Sequence, residues 1–277
     1  MRLQFLRAEN GFEPRPACTC FIVLLFLLNT IDVAAEQIAK VTQRGTKMLV
    51  HTPRAYSATS LKYPLLVFLH GPGESGDDLD LLTSGSKHAY PPKLISGNKW
   101  NDNLPFIVVS PQLKNNAATN PRTWTPAYID DVIEFVKQKY RVDLNRIYLT
   151  GVSTGATACW DYAAAFPATV AAIIPVSGKA PEKARLHLLK NVPVWAFHGE
   201  NDINVPPVAV AESIGFIKSL KGLFTPRMTV LFAQGHGGWS ELYNGESGYN
   251  IYEWMLRFSK SDKRNVRPYV NAGFDRT

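Results

Sequence analysis

Arg146-Ile147-Tyr148-Leu149-Thr150-Gly151-Val152-Ser153-Thr154-Gly155-Ala156 is the stretch that decides the fold. Its first half is a short apolar run rich in β-branched residues, which reads as a buried strand. The run enters Gly-x-Ser-x-Gly without a break, and an Ala-rich segment with helical spacing follows from Thr157 to Phe166. A strand, this motif and a helix in succession describe a sharp turn whose apex is a serine. Gly151 and Gly155 flank Ser153 because the turn is too tight for side chains on both sides. The serine is expected in a strained backbone conformation with Oγ exposed above the sheet, near the N–H groups that open the helix.

Outward from this stretch the same alternation recurs. Lys47–His51, Leu65–Leu69, Phe106–Ser110, Ala171–Val176, Pro193–Phe197 and Met228–Phe232 read as strands. Helices are expected near Pro91–Ile95, from Thr125-Pro126 onward, across Val208–Leu220 and across Tyr249–Phe258. Thr125-Pro126 supplies a capping hydroxyl and a proline at the first helical position. Ile129, Val132, Ile133 and Val136 then keep helical spacing. Residues 77–104 read as a long connection with a single short helix. Strands alternating with helices specify an α/β fold, a mostly parallel sheet with helices on both faces. There is no internal repeat and no linker that would split residues 36–259, read as one domain.

In such a sheet functional residues gather at the C-terminal ends of the strands. The strand ending at Phe197 runs into His198-Gly199-Glu200-Asn201-Asp202. The strand ending at Phe232 runs into Gln234-Gly235-His236. Ser153, Asp202 and His236 therefore make the candidate catalytic set, with His236 taking the serine proton and Asp202 orienting the imidazole. Glu200 is the rival acid and His198 the rival base. His51, His88 and His187 lack a matching context. Two N–H donors are needed for a developing oxyanion. One is expected from Thr154 and the other from Gly71 or Gly73, with Gly73 preferred, because Pro72 between them has no N–H. Tyr90, Trp124 and Trp239 are candidate walls of an open, shallow pocket.

Two motif matches are set aside. Gly71-Pro72-Gly73-Glu74-Ser75-Gly76 matches a dinucleotide fingerprint, but Asp77, Asp78 and Asp80 follow where a pyrophosphate would lie. Ser84-Gly85-Ser86-Lys87 matches Ser-x-x-Lys without the partner motifs that give it meaning. No Cys/His spacing suits a metal, so no metal and no cofactor is expected. The 277 residues carry a formal charge of +7, but the basic residues are scattered, which argues against a nucleic-acid partner.

Residues 1–35 have a different character. Arg2, Arg7 and Arg15 precede an apolar run from Cys20 to Leu28, and Val33-Ala34-Ala35 follows. This is the layout of a secretory signal, and the run is shorter than the ~20 residues that span a bilayer. Secretion or a periplasmic location is expected, with membrane attachment only if the segment stays uncleaved as an anchor. Residues 260–277 read as a polar, basic tail. After removal of the first 35 residues only Cys159 remains, which permits no internal disulfide.

Taken together, several motifs resemble the α/β-hydrolase superfamily, and within it bacterial esterases of the predicted-peptidase, phospholipase/carboxylesterase and dienelactone-hydrolase-like group. They are Leu69 through Asp78, Pro91-Pro92-Lys93-Leu94-Ile95, Gly151 through Ala156, Val194 through Pro206 with Asp202, and Gly235-His236 before Trp239. Pro72 and Thr154 depart from that group's usual residues beside the acyl site. The resemblance implies a secreted serine hydrolase that cleaves short-chain or carbohydrate-linked carboxylic esters through an acyl-enzyme. A serine peptidase and a non-catalytic binding protein on the same scaffold are the alternatives.

Overall fold

Eight strands form one sheet in the computed structural model, which describes residues 37–84, 90–114 and 123–261. In chain order they are β1 (Gln37–Val41), β2 (Lys47–His51), β3 (Tyr63–Leu69), β4 (Ile107–Pro111), β5 (Val142–Val152), β6 (Ala172–Val176), β7 (Trp195–Gly199) and β8 (Arg227–Leu231). Their spatial order is β1-β2-β4-β3-β5-β6-β7-β8. β1 and β2 pair antiparallel, β2 meets β4 antiparallel, and all later pairings are parallel.

The helices are α1 (Pro92–Ser96), α2 (Pro126–Lys139), α3 (Thr154–Ala165), α4 (Lys183–Leu186), α5 (Pro207–Ser219), α6 (Trp239–Tyr243) and α7 (Ile251–Leu256). Alternate residues of each central strand feed opposite cores, as the period of two requires. Leu65, Val67, Leu69, Ile147 and Leu149 join the core under α2, α3, α4 and α5. Leu66, Phe68, Tyr148, Val152 and Phe197 join the core under α1, α6 and α7. Both faces of β3 are therefore fully buried, which accounts for the unbroken apolar run Leu65–Leu69.

Several expected elements differ at their ends or were not foreseen. α3 begins at Thr154, not near Thr157, because Gly155 lies inside its first turn. β5 begins at Val142, since its polar start Asp143-Leu144-Asn145 precedes the buried part and an irregularity separates Tyr63 from Leu65 in the pairing with β3. β1 is a mostly exposed edge strand without an apolar face. The connection 77–104 holds a 3-10 turn over Leu79–Leu82 as well as α1. The N-terminal segment 1–35, the tail from residue 262, and parts of the expected pocket walls (85–89 and 115–122) lie outside the described residues.

Candidate active site

The crossing pattern opens a crevice above β3 and β5. From β3 the chain moves to β4 on one side and then crosses to β5 on the other, so the loops after β3 and β5 leave in opposite directions. Ser153 sits at the tip of β5 with φ 54° and ψ −118°, a left-handed region disfavoured for a side chain. Surrounding contacts hold it there. Its N–H donates to Val176 O at 2.9 Å, and its carbonyl accepts from Thr157 N–H at 3.0 Å. Both flanking glycines are required by close approach. A Cβ on Gly151 would lie 2.5 Å from Leu69 O, and one on Gly155 would lie 2.0 Å from the same oxygen.

The loops after β7 and β8 complete the arrangement. Ser153 Oγ lies 2.9 Å from His236 Nε2, and His236 Nδ1 lies 2.7 Å from Asp202 Oδ2. Asp202 is 3% exposed. Its other oxygen accepts from the N–H groups of Asn204 (3.0 Å) and Val205 (2.9 Å). Burial pushes the Asp202 pKa up, but its hydrogen bonds from His236 and Val205 and the nearby histidines outweigh this, and the carboxyl sits below the usual range. Asp202 is therefore a fixed carboxylate. Its geometry makes His236 Nδ1 the donor and leaves Nε2 as the acceptor facing the serine hydroxyl.

The rivals have other employment. His198 is buried, donates from Nε2 to Val205 O at 2.7 Å, and lies 3.5 Å from Asp202 Oδ2. Burial holds its pKa down, so it buttresses the Asp202 loop as a neutral ring. Glu200 accepts from Ala233 N–H at 3.0 Å and ties the two loops together.

On the opposite side of Ser153, Gly71 caps a 3-10 turn over Pro72–Glu74. The Cβ position of Gly71 is 3.8 Å from Ser153 Cβ, whereas that of Gly73 meets nothing within 4 Å. The amides of Gly71, Gly73 and Thr154 donate to no protein acceptor among the described residues. Below this loop lies a polar layer that the sequence reading missed. His70 is fully buried, and burial lowers its pKa to about 4. Its Nε2 accepts from Leu113 N–H at 2.9 Å, so the proton is on Nδ1, 2.5 Å from Gly71 O. Glu74 is fully buried too, its Oε2 3.7 Å from His70 Nδ1, and desolvation raises its pKa to about 7. Gln112 donates to Glu74 O at 2.9 Å and Asp78 O at 2.6 Å, pinning the loop from beneath. A buried carboxyl inside a Gly-rich loop leaves no periodic trace in sequence.

The expected walls are placed differently from one another. Trp124 is 6% exposed, and its indole donates to His70 O at 3.1 Å. Trp239 is 4% exposed, donates to Ser177 Oγ at 3.0 Å and packs edge-on to His236 with ring centroids 5.2 Å apart. Both steady the site from behind its surface. Tyr90 is half-buried against the core under α1, with Lys93 Nζ 5.9 Å from its ring. Among the described residues no group of three or more His, Cys, Asp and Glu is arranged to hold a metal ion.

No protein-family model matches the sequence. A search of curated proteins finds similarity to the bifunctional acetylxylan esterase/xylanase XynS20E of Neocallimastix patriciarum, 26% identical over 194 residues, 65% of this chain. The chain spans 24% of that relative's length. Among solved structures it resembles a thermostable esterase, with TM-score 0.64 and 25% identity over 82% of this chain and 63% of that one. It also resembles the feruloyl esterase module from Clostridium thermocellum, with TM-score 0.57 and 18% identity over 91% of this chain and 96% of that one. With a sheet of this order and these likenesses, the chain has the α/β-hydrolase fold, and the solved structures it resembles include esterases.

Proposed function

We propose that the protein is a serine hydrolase that cleaves carboxylic esters, acting outside the cell on short acyl groups carried by carbohydrate. The observation that carries this reading is the hydrogen-bonded chain from Ser153 Oγ through His236 to Asp202, at 2.9 and 2.7 Å. In the reaction Ser153 Oγ attacks the ester carbonyl carbon while its proton moves to His236 Nε2. Asp202 balances the imidazolium. Negative charge gathers on the former carbonyl oxygen, where the N–H of Thr154 and that of Gly71 or Gly73 donate. His236 then returns the proton to the departing alkoxide, leaving an acyl-serine. Water repeats the sequence and frees the acid.

The carbohydrate side of the reading draws on the acetylxylan and feruloyl esterases that the chain resembles. The secretion-like layout of residues 1–35 agrees with a polymeric substrate. The test is hydrolysis of p-nitrophenyl acetate and of acetylated xylan by the chain from Glu36, wild type beside Ser153→Ala. Loss of kcat/KM by at least about 10³-fold in the variant is expected. Equal rates in the two proteins, or turnover of peptides alone, would overturn the proposal.

A further inference from the structure

A cleft of about 400 Å³ lies away from Ser153, between the segment 99–104 that follows α1 and the helices α6 and α7. None of Ser153, Asp202 and His236 lines it. Its volume falls in the range of small-ligand sites. Trp100 and Tyr252 form part of the wall, 7% and 8% exposed, edge to face with centroids 5.1 Å apart. Tyr249 adds a half-buried ring, held edge-on by Trp195 and Phe197 at 5.9 and 5.4 Å. These rings are fixed by packing before any ligand arrives, so little side-chain freedom would be lost on binding.

The rim is amide-rich. Four asparagines line the cleft, at 101, 103, 244 and 250. Asn244 uses Oδ1 to accept from Glu246 N–H at 2.9 Å, which leaves its NH₂ for a ligand. The Asn103 side chain makes no hydrogen bond among the described residues. Trp100 Nε1 is a buried donor with no hydrogen-bond partner among them. A buried donor left unsatisfied is costly, and a ligand oxygen would relieve it.

This chemistry selects among ligand classes. Among the described residues Lys99 is the cation on the rim and Glu253 faces the cleft too, so these residues form no cluster of positive charge to hold a phosphate. The amide rim does not suit an acyl chain. Sugars combine hydroxyls that both donate and accept with an apolar C–H face that lies against aromatic rings.

We infer that this cleft binds one or two sugar units of a polysaccharide, apart from the ester-cleaving centre. The inference rests on the carbohydrate-ester reading for its biological sense. α6 links the two places. Trp239 at its start packs on His236, while Tyr243 at its end lines the cleft and hydrogen-bonds Thr150 Oγ1 at 2.7 Å. Five residues of helix span about 7 Å, the length of the element that joins the two places.

The test uses binding, not turnover. The full chain carrying Ser153→Ala is titrated calorimetrically with xylotetraose, and again with Asn103→Ala or Trp100→Phe added. Saturable binding is expected, weakened at least 5-fold by either change. On the wild-type background both cleft variants should hydrolyse p-nitrophenyl acetate as the parent does. Absence of xylotetraose binding, or binding unchanged in both variants, would overturn the inference. Failure of the hydrolase proposal would show separately, as absent p-nitrophenyl acetate turnover with the titration unaffected. Asn103 is exposed, so its variant keeps the test valid if Trp100→Phe folds poorly.

Discussion

Glu74→Gln should change how stability responds to pH. The Glu74 carboxyl is fully buried beneath the Gly71 loop, and desolvation raises its pKa from an ordinary 4.5 to about 7. A carboxyl whose pKa is raised by folding stabilises the folded state most when neutral. That contribution is complete below pH 4.5 and is lost as pH rises through about 7. At about 1.4 kcal/mol per pH unit, the interval from 4.5 to about 7 corresponds to roughly 3 kcal/mol. Glutamine has the same shape and no titration, so the variant escapes this loss. Any difference in packing between the amide and the protonated acid is the same at every pH. The measurement is urea unfolding followed by tryptophan fluorescence at pH 5, 6, 7 and 8. The unfolded carboxyl is already mostly ionised at pH 5, so the stability of Glu74→Gln relative to wild type should climb by about 2.5 kcal/mol across the series. His70, next to Glu74, has its pKa lowered to about 4 and so stays neutral in the folded chain across this range, while His198 lies away from the substitution, so neither disturbs the difference. Parallel stability curves would refute the argument that Glu74 is desolvated in the folded chain.

Other expectations follow from single contacts. Gly155→Ala puts a Cβ 2.0 Å from Leu69 O, a backbone atom that cannot swing aside, and should destabilise by more than about 3 kcal/mol, read as insolubility or a large drop in melting temperature. Arg141→Lys should cost about 2 kcal/mol in denaturant unfolding. The guanidinium lies 3.9 Å from the Tyr56 ring centroid and donates to the carbonyls of Tyr56, Thr59 and Leu61, a set a single ammonium cannot serve. Asp202→Asn replaces an acceptor by an NH₂ that must face either His236 or the N–H groups of Asn204 and Val205. The expected fall in kcat for ester hydrolysis is on the order of 10³ to 10⁴-fold, with the protein still folded by circular dichroism.

The sheet was legible because its central strands are buried on both faces and so carry unbroken apolar runs, as in Leu65–Leu69 and Ile147–Leu149. Ser153 and Asp202 were legible as candidates because each follows such a run at its C-terminal end, and His236 because it follows the next strand, β8, although that strand is a partly exposed edge. What escaped notice lacks that signature. β1 has exposed side chains on both faces, and α6 is too short to show a helical period. Trp124 and Trp239 read as surface walls since sequence reports proximity to a motif, not depth; the packing of His70 and Ser177 against them decides their burial. Glu74 reads as one more loop carboxylate. Only the His70 side chain from the start of the same loop and the Gln112 side chain, brought from the end of β4, reveal that it is enclosed.

β8 is the last strand of the sheet, and its outer side has no neighbour among the described residues. Val230 is 49% exposed and Phe232 84%. His236 hangs from this border, while Ser153 stands on β5 near the middle. In the proposed mechanism the base and the nucleophile therefore stand at the border and in the interior of the sheet, where local stability is expected to differ. Fraying at the rim would carry the imidazole away from the serine while the interior stays intact, so under the proposed mechanism activity should depend on the integrity of the outermost strand more than on that of the core. Substitutions that tighten β8 against β7 should extend the working temperature range without raising the temperature at which the whole chain unfolds.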